Sequence, residues 1–252
     1  MALLEHPIRI DASDIAGREA HRLAMLYDRV RTIDLLDDMI NVRFAGEVAV
    51  VSSFGAESSV LLHLVSRVNP AAPVLFVDTG KHFGETRSHR DQLREKFGLT
   101  DVRSLKPDPA RLAEADRDGG LWLRDPDACC RIRKVEPLAR GLAGFTAWVS
   151  GRKRFQGGDR TELALFEPEG DRIKINPLAT WSSDDIEIYQ RAHDLPRHPL
   201  IDPGYKSIGC MPCTAPVGEG DDDRAGRWKG QDKTECGIHF GALGVEHDGS
   251  GI

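Results

Sequence analysis

The sequence lacks any apolar run near the roughly 18 residues that would cross a bilayer as a helix. It also lacks an excess of basic residues: 34 Lys and Arg stand against 40 Asp and Glu, a formal net charge of -6. The first absence leaves no candidate for a membrane-spanning helix. The second argues against a general affinity for nucleic acid, which needs a basic surface facing phosphates. A small anion in a local basic pocket stays compatible with it. Aromatics are scarce at 6%, and the 25 Gly and 14 Pro show no period, so collagen-like and low-complexity readings fail. An even cysteine count is missing too. Five cysteines cannot all pair, so at least one sulfur is free or committed elsewhere. The opening residues carry Glu5 and Pro7 where a secretory peptide needs an apolar stretch. The expected location is therefore a reducing cytoplasm, which favours thiols and metal ligands over disulfides.

What is present is a chain of 252 residues, 40% hydrophobic, with the composition of an ordinary globular protein. From Asp14 to Ile40, apolar residues recur at near-helical spacing and predict one or two amphipathic helices. Glu47–Ser52 and Pro73–Asp78 are short runs rich in β-branched residues, each followed by a turn and a helical pattern, the second over Gly84–Phe97. Another cycle is predicted near Val102, a helix over Cys129–Leu142 and a strand over Phe145–Ser150. Asp171–Asn176 alternates like a strand, and Ser182-Ser-Asp-Asp reads as a capped helix start. Strands alternating with helices predict an α/β fold, a mainly parallel sheet with helices on both faces. After Leu195 the chain becomes dense in Pro, Gly, Asp and Cys, predicting an irregular C-terminal tail. The expected division is a helical extension over residues 1–45, an α/β domain over 46–213, and a mobile tail over 214–252.

Four groups of residues carry chemistry. The loop Ser52-Ser53-Phe54-Gly55-Ala56-Glu57-Ser58-Ser59 lies between a strand and a helix, where small residues and a helix N-terminus can receive an anion. Alone it is an ordinary turn, since the Gly-x4-Gly-Lys-Ser/Thr pattern is absent. Asp78-Thr79-Gly80 would sit at the same sheet edge, where open α/β sheets bind ligands. Cys129-Cys130 and Cys210-Met-Pro-Cys213 offer four thiols to zinc or an iron-sulfur cluster. Adjacent cysteines strain a mononuclear tetrahedral centre, whereas a cubane spreads its ligands over different iron atoms, so 4Fe-4S leads zinc. The fifth cysteine lies in Glu235-Cys236-Gly237-Ile238-His239, a polar setting where neighbouring cations favour a nucleophilic thiolate. Basic residues gather around these segments: Arg131, Arg133 and Lys134; Gly151-Arg152-Lys153-Arg154; Arg160; Arg224 and Arg227. They suit a multiply charged anion, or they balance the acidic surface.

Taken together, Cys129-Cys130, Gly204–Cys213, Glu235–His239, the Ser52–Ser59 loop, Phe76–Gly80, Glu85-Thr86 and Gly151–Arg160 resemble the bacterial assimilatory sulfonucleotide reductases. Within that family they resemble the cluster-bearing adenylyl-sulfate (APS) reductase branch, over roughly residues 45 to 240. The Ser-Ser-Phe-Gly-Ala-Glu-Ser loop and the Arg154–Arg160 run depart from the usual forms. The resemblance implies an adenine-nucleotide α-hydrolase-like fold and reduction of APS to sulfite and AMP by reduced thioredoxin in sulfate assimilation. It implies Cys236 as the nucleophile that becomes S-sulfonated, and a 4Fe-4S cluster on Cys129, Cys130, Cys210 and Cys213, structural and electrostatic in role. It assigns Lys134, Arg160, Arg224, Arg227 and His239 to the phosphosulfate, and Ser52, Ser53, Phe54, Gly55, Asp78, Thr79, Gly80 and Gly151 to the nucleotide loops. The tail would close over substrate and open for thioredoxin. A homo-oligomer is compatible with the sequence, as are activity on 3'-phosphoadenylyl sulfate (PAPS) and, more remotely, a non-catalytic zinc protein. An ATP-dependent adenylating enzyme would carry a Ser-Gly-Gly-x-Asp-Ser loop, absent here.

Overall fold

The computed structural model describes residues 12–218, 220–231 and 233–239. The first helix, α1 (Ala12–Tyr27), sets Ala16, Ala20, Leu23 and Tyr27 on one buried stripe, the i, i+4, i+7 spacing of an amphipathic helix. It is followed by α2 (Thr32–Asp38), which widens into a π turn over Met39–Arg43. Then strands and helices alternate: β1 (Val48–Val51), α3 (Ser58–Val68), β2 (Val74–Val77), α4 (Gly84–Lys96) and β3 (Val102–Leu105). Short helices α5 (Pro109–Ala115), α6 (Leu121–Arg124), α7 (Pro126–Cys130) and α8 (Glu136–Gly141) lead to β4 (Ala147–Ser150). The hairpin β5 (Phe166–Glu169) and β6 (Arg172–Ile175) and the helix α9 (Ser183–Ala192) complete the order.

The six strands lie in the order β3-β2-β1-β4-β6-β5, all parallel except edge strand β5, which runs antiparallel to β6. Strands buried on both faces read as unbroken apolar runs. Val48, Val50, Val74, Phe76, Ala147, Val149, Ile173 and Ile175 face a large core with α1, α2, α3, α4 and α9. Ala49, Leu75 and Trp148 face a smaller core with Leu138 of α8 and Leu142 just after it. Residues 12–43 thus share the core of the sheet. Among the described residues no helix is long and apolar enough to cross a membrane.

Three local details differ from or refine the sequence expectations. The expected helix over Cys129–Leu142 forms, running from Pro126 to Gly141, but it widens into a π turn at Arg131–Val135 between α7 and α8. Pro137 has no N–H to donate into the preceding turn, and the helix widens just before it. The strand β5 was absent from the sequence expectations because it holds Pro168 and two glutamates; an edge position tolerates all three. Ser182 caps α9 as expected, accepting from the Asp185 N–H at 3.1 Å while its own N–H donates to Asp185 at 2.8 Å.

Past α9 the described chain is turns and a 3-10 turn, Met211–Cys213. Specific backbone bonds fix it: Met211 donates to Lys81 at 2.7 Å, Ala215 to Gly226 at 2.8 Å and Trp228 to Cys213 at 3.1 Å. At Gly226 a Cβ would collide with the Ala215 carbonyl oxygen. We therefore expect Gly226→Ala to lower the midpoint of a denaturant titration. Gly17→Ala, in an α1 position where a Cβ meets nothing within 4 Å, raises stability by about 0.5–1 kcal/mol in the same unfolding titration.

Candidate active site and cysteine site

The sheet order reverses at β1: β2 and β3 extend to one side, β4 and its neighbours to the other. Open α/β sheets bind ligands at such a switch point, beyond the carboxyl ends of the strands. Val51 of β1 pairs with Ser150 of β4, so the two following loops start side by side. Between them opens a cleft lined by Ser52, Ser53, Gly55, Gly151, Lys134, Arg160, Arg224, Arg227, Cys236 and His239 among others. Two elements that the sequence read separately, the strand-end loops and the Cys236 segment, therefore face one space.

The Ser52–Glu57 loop is bent tightly. Ser52 Oγ accepts from the Phe54 N–H at 3.1 Å, and Phe54 takes a left-handed φ of 50°. That turn drives the Phe54 ring into the core, edge-on to Phe76 at 5.5 Å between centroids. It leaves Gly55 under the Ile208 carbonyl, 3.2 Å from where a Cβ would stand. Phe54 thus shapes the loop from below, while Ser52, Ser53 and Gly55 line the cleft.

The cleft is rich in buried charge, most of it paired. Lys153 meets Glu57 at 2.7 Å, and Arg152 pairs with Glu167. One carboxylate, Glu235, faces two guanidiniums, Arg160 at 2.6 Å and Arg224 at 3.2 Å. Burial brings the Arg224 pKa down to about 10, aided by the Arg160 charge. Burial also acts against the Lys134 ammonium, but the sulfurs of Cys210, Cys236 and Cys130 outweigh it and hold the pKa above the usual lysine range. For His239, burial and then Lys174, Arg152, Arg160 and Arg224 push the pKa well below its ordinary value. The ring is neutral at pH 7 and stacks on Trp148, with planes 11° apart and centroids 5.9 Å apart. Beside it, Lys174 is buried among Glu167, Glu169 and Arg152, and burial brings its pKa to about 8.

A second, smaller cavity adjoins the cleft and is lined by Cys129, Cys130, Cys210 and Cys213, with Lys134 shared between the two. The end of α7 supplies the first pair and the 3-10 turn the second. Thr79 Oγ1 lies 3.3 Å from Cys210 Sγ. Arg133, bound to Asp116 at 2.5 Å, donates to the Thr79 carbonyl at 2.8 Å. Burial raises Cys129 and Cys130 to about 11, so without a cation these two are neutral thiols; a metal ion reverses that preference by holding thiolates. Among the described residues no three His, Cys, Asp or Glu side chains converge as a single-ion site. Four thiols line this one cavity, a donor set whose chemistry is compatible with a bound metal centre.

The structure places the sequence candidates as follows. Ser52, Ser53, Gly55, Gly151, Lys134, Arg160, Arg224, Arg227, Cys236 and His239 share the cleft. Asp78, Thr79 and Gly80 do not line it; Thr79 holds the cysteine turn instead, and Gly80 N–H donates to Asp78 at 3.1 Å. Arg152 and Lys153, which sequence left balanced between site and surface, are buried in the cleft wall, whereas Arg154 is exposed. Glu57, Glu235, Gln156, His82 and Trp228 line the cleft without having been singled out. Glu235 carried a signal in its place beside Cys236, and Glu57 in its place within the Ser52–Ser59 loop.

Comparison with known proteins adds the family. The phosphoadenosine phosphosulfate reductase domain matches residues 47–216. An adenosine 5'-phosphosulfate reductase of Mesorhizobium japonicum is 50% identical over 235 residues, 93% of this chain and 92% of the relative. Two solved structures share the fold. A phosphoadenylyl-sulfate reductase from Candida auris, in a phosphate complex, covers 79% of this chain and 97% of its own, with TM-score 0.66 and 24% identity. A yeast FAD synthetase bound to FAD covers 82% and 77%, with TM-score 0.50 and 17% identity. With a six-stranded, mainly parallel sheet, a cleft at its switch point and half of 235 aligned residues identical in a curated relative, the chain belongs to the phosphoadenosine phosphosulfate reductase domain family, among the adenosine 5'-phosphosulfate reductases.

Proposed function

We propose that the chain reduces APS to sulfite and AMP, with Cys236 as the nucleophile, in the assimilation of sulfate. The observation that carries this is the meeting of a half-buried thiol with Lys134, Arg160, Arg224 and Arg227 in one cleft, between two loops placed for a nucleotide. The Cys236 thiolate attacks the sulfate sulfur. The bond from that sulfur to the bridging oxygen breaks, and AMP leaves with the electron pair. A dithiol protein, thioredoxin by the family resemblance, then attacks the Cys236 sulfur. Sulfite departs with the S–S electron pair, and the second thiol of the dithiol regenerates Cys236. Two electrons pass and the reductant ends as a disulfide. This is covalent catalysis in two easier steps.

The basic side chains answer the charge of substrate and leaving group. Glu235 neutralises only one of the two charges of Arg160 and Arg224, so the pair keeps a net attraction for an anion. His239, neutral, offers an N–H or a stacking face rather than a positive charge. The stretch 214–239 brings Arg224, Arg227, Glu235, Cys236 and His239 to the cleft and serves as its cover, opening to present the S-sulfonate to the reductant. Cys129, Cys130, Cys210 and Cys213 would hold a 4Fe-4S cluster, which when bound supplies structural order and a fixed charge beside Lys134. The expected site of action is the cytoplasm.

Purified protein given APS and a reduced dithiol protein should release sulfite and AMP in equal amounts, with a higher kcat/KM for APS than for PAPS. Cys236→Ser should lower turnover by at least about a thousandfold while leaving the AMP dissociation constant within a factor of two or so of the parent. Cys129→Ser and Cys210→Ser should each lose stoichiometric iron and inorganic sulfide, measured directly on the purified protein; zinc alone in the parent would overturn the cluster assignment.

A further inference from the structure

We propose that Trp228 is a positioning residue: its ring is the platform that holds Lys134 and Arg227 together in the cleft, ready for the anionic part of the nucleotide. The Arg227 guanidinium carbon lies 4.4 Å from the ring centroid, Lys134 Nζ 5.9 Å and Lys233 Nζ 5.8 Å. Three cations that close would repel and splay in the absence of a ligand. An aromatic face carries negative quadrupole density and attracts cations within about 6 Å of its centroid, most strongly when the pair is shielded from water. Trp228 is such a site, since only 3% of its surface is exposed. Lys134, Arg227 and Trp228 all line the cleft, so the cations are held by the ring and face the cleft at once. Lys233 is anchored from outside by its pair with Asp127.

The backbone shows that this placement is imposed by the surroundings. Trp228 has φ of 47°, a left-handed conformation that a bulky side chain avoids unless its surroundings enforce it. Enforcement comes from the cysteine turn: the Trp228 N–H donates to the Cys213 carbonyl at 3.1 Å, and Arg227 Nε donates to the same carbonyl at 3.4 Å. Gln231 closes the other side, donating to the Trp228 carbonyl at 2.8 Å. The next strand-like contact, Thr214 with Arg227, fixes the preceding residue. The cysteine turn therefore sets the ring, and the ring sets two of the cations that the substrate meets. The inference rests on the APS reading for the identity of the anion, but not for the geometry.

The test changes the ring's electrons without its shape. Tryptophan bearing one, two or three fluorines, placed at position 228 alone by nonsense suppression, loses face charge stepwise while keeping its size and N–H. The dissociation constant of AMP, titrated calorimetrically in the full chain, should rise with each fluorine, by about tenfold across the series, with the thermal midpoint unchanged. Trp228→Phe, with a weaker ring face, should fall within that series. A dissociation constant that stays flat, or that tightens because the ring competes with the ligand for the cations, would overturn the proposal. Failure of the unsubstituted protein to bind AMP would overturn the APS reading instead, so the two failures are distinguishable.

Discussion

The pairing of β1 with β4 is the constraint on which the site depends. It sets Val51 against Ser150, and because the chain then leaves both strands on the same edge, the Ser52–Glu57 and Gly151–Lys153 loops must diverge from a common line. The cleft is the space between them. Neither loop carries a long phosphate motif, and neither needs one. On the proposed reading, two short turns and the N-terminus of α3 at one edge would supply the backbone donors that a Gly-rich loop supplies in one segment. The later residues reach the same edge from the other direction. Their return is not guided by secondary structure; it is guided by ion pairs, by the cysteine turn and by the stacking of His239 on Trp148.

Charge explains why that return segment is acidic and basic by turns. A cleft built for an anion must hold several cations out of water, and each buried cation is costly unless paired. Glu57, Glu167 and Glu235 meet Lys153, Arg152 and the Arg160–Arg224 pair. The compensation is incomplete at the last pair and around Lys134 and Arg227, which is where a ligand's charge would complete it. The overall net charge of -6 gives no hint of this, since a surface average is insensitive to a few residues in a cleft.

Much of the fold was legible because its strands are buried on both faces. Runs such as Val48–Val51 and Val74–Val77 have no competing helical period. Edge strand β5 was not legible, since an edge accepts Pro168 and glutamates that a central strand refuses. The π turn at Arg131–Val135 was likewise hidden, because a one-residue widening leaves the apolar spacing almost intact. At the site, Cys236, the four other cysteines and the cations at Arg160, Arg224 and Arg227 were picked out by residue type together with the family resemblance, and the structure gathers them in the cleft and its adjoining cavity. Trp228 was not, since a single aromatic in an irregular segment has no period to betray its burial. Nor could the sequence tell that the Asp78–Gly80 loop serves the cysteine turn, because that depends on Met211 bonding to Lys81 across 130 residues of chain.

The central claim is that one sulfur, Cys236, takes the sulfonate from the nucleotide. Incubating the full chain with APS and no reductant, then mapping peptides by mass spectrometry, tests it most directly. The account predicts the mass of one sulfonate on the peptide carrying Cys236, released as sulfite when a reduced dithiol protein is added, with AMP formed in equal amount beforehand. Sulfonate on another cysteine, or AMP and sulfite produced by a Cys236→Ser chain at the parent rate, would contradict it.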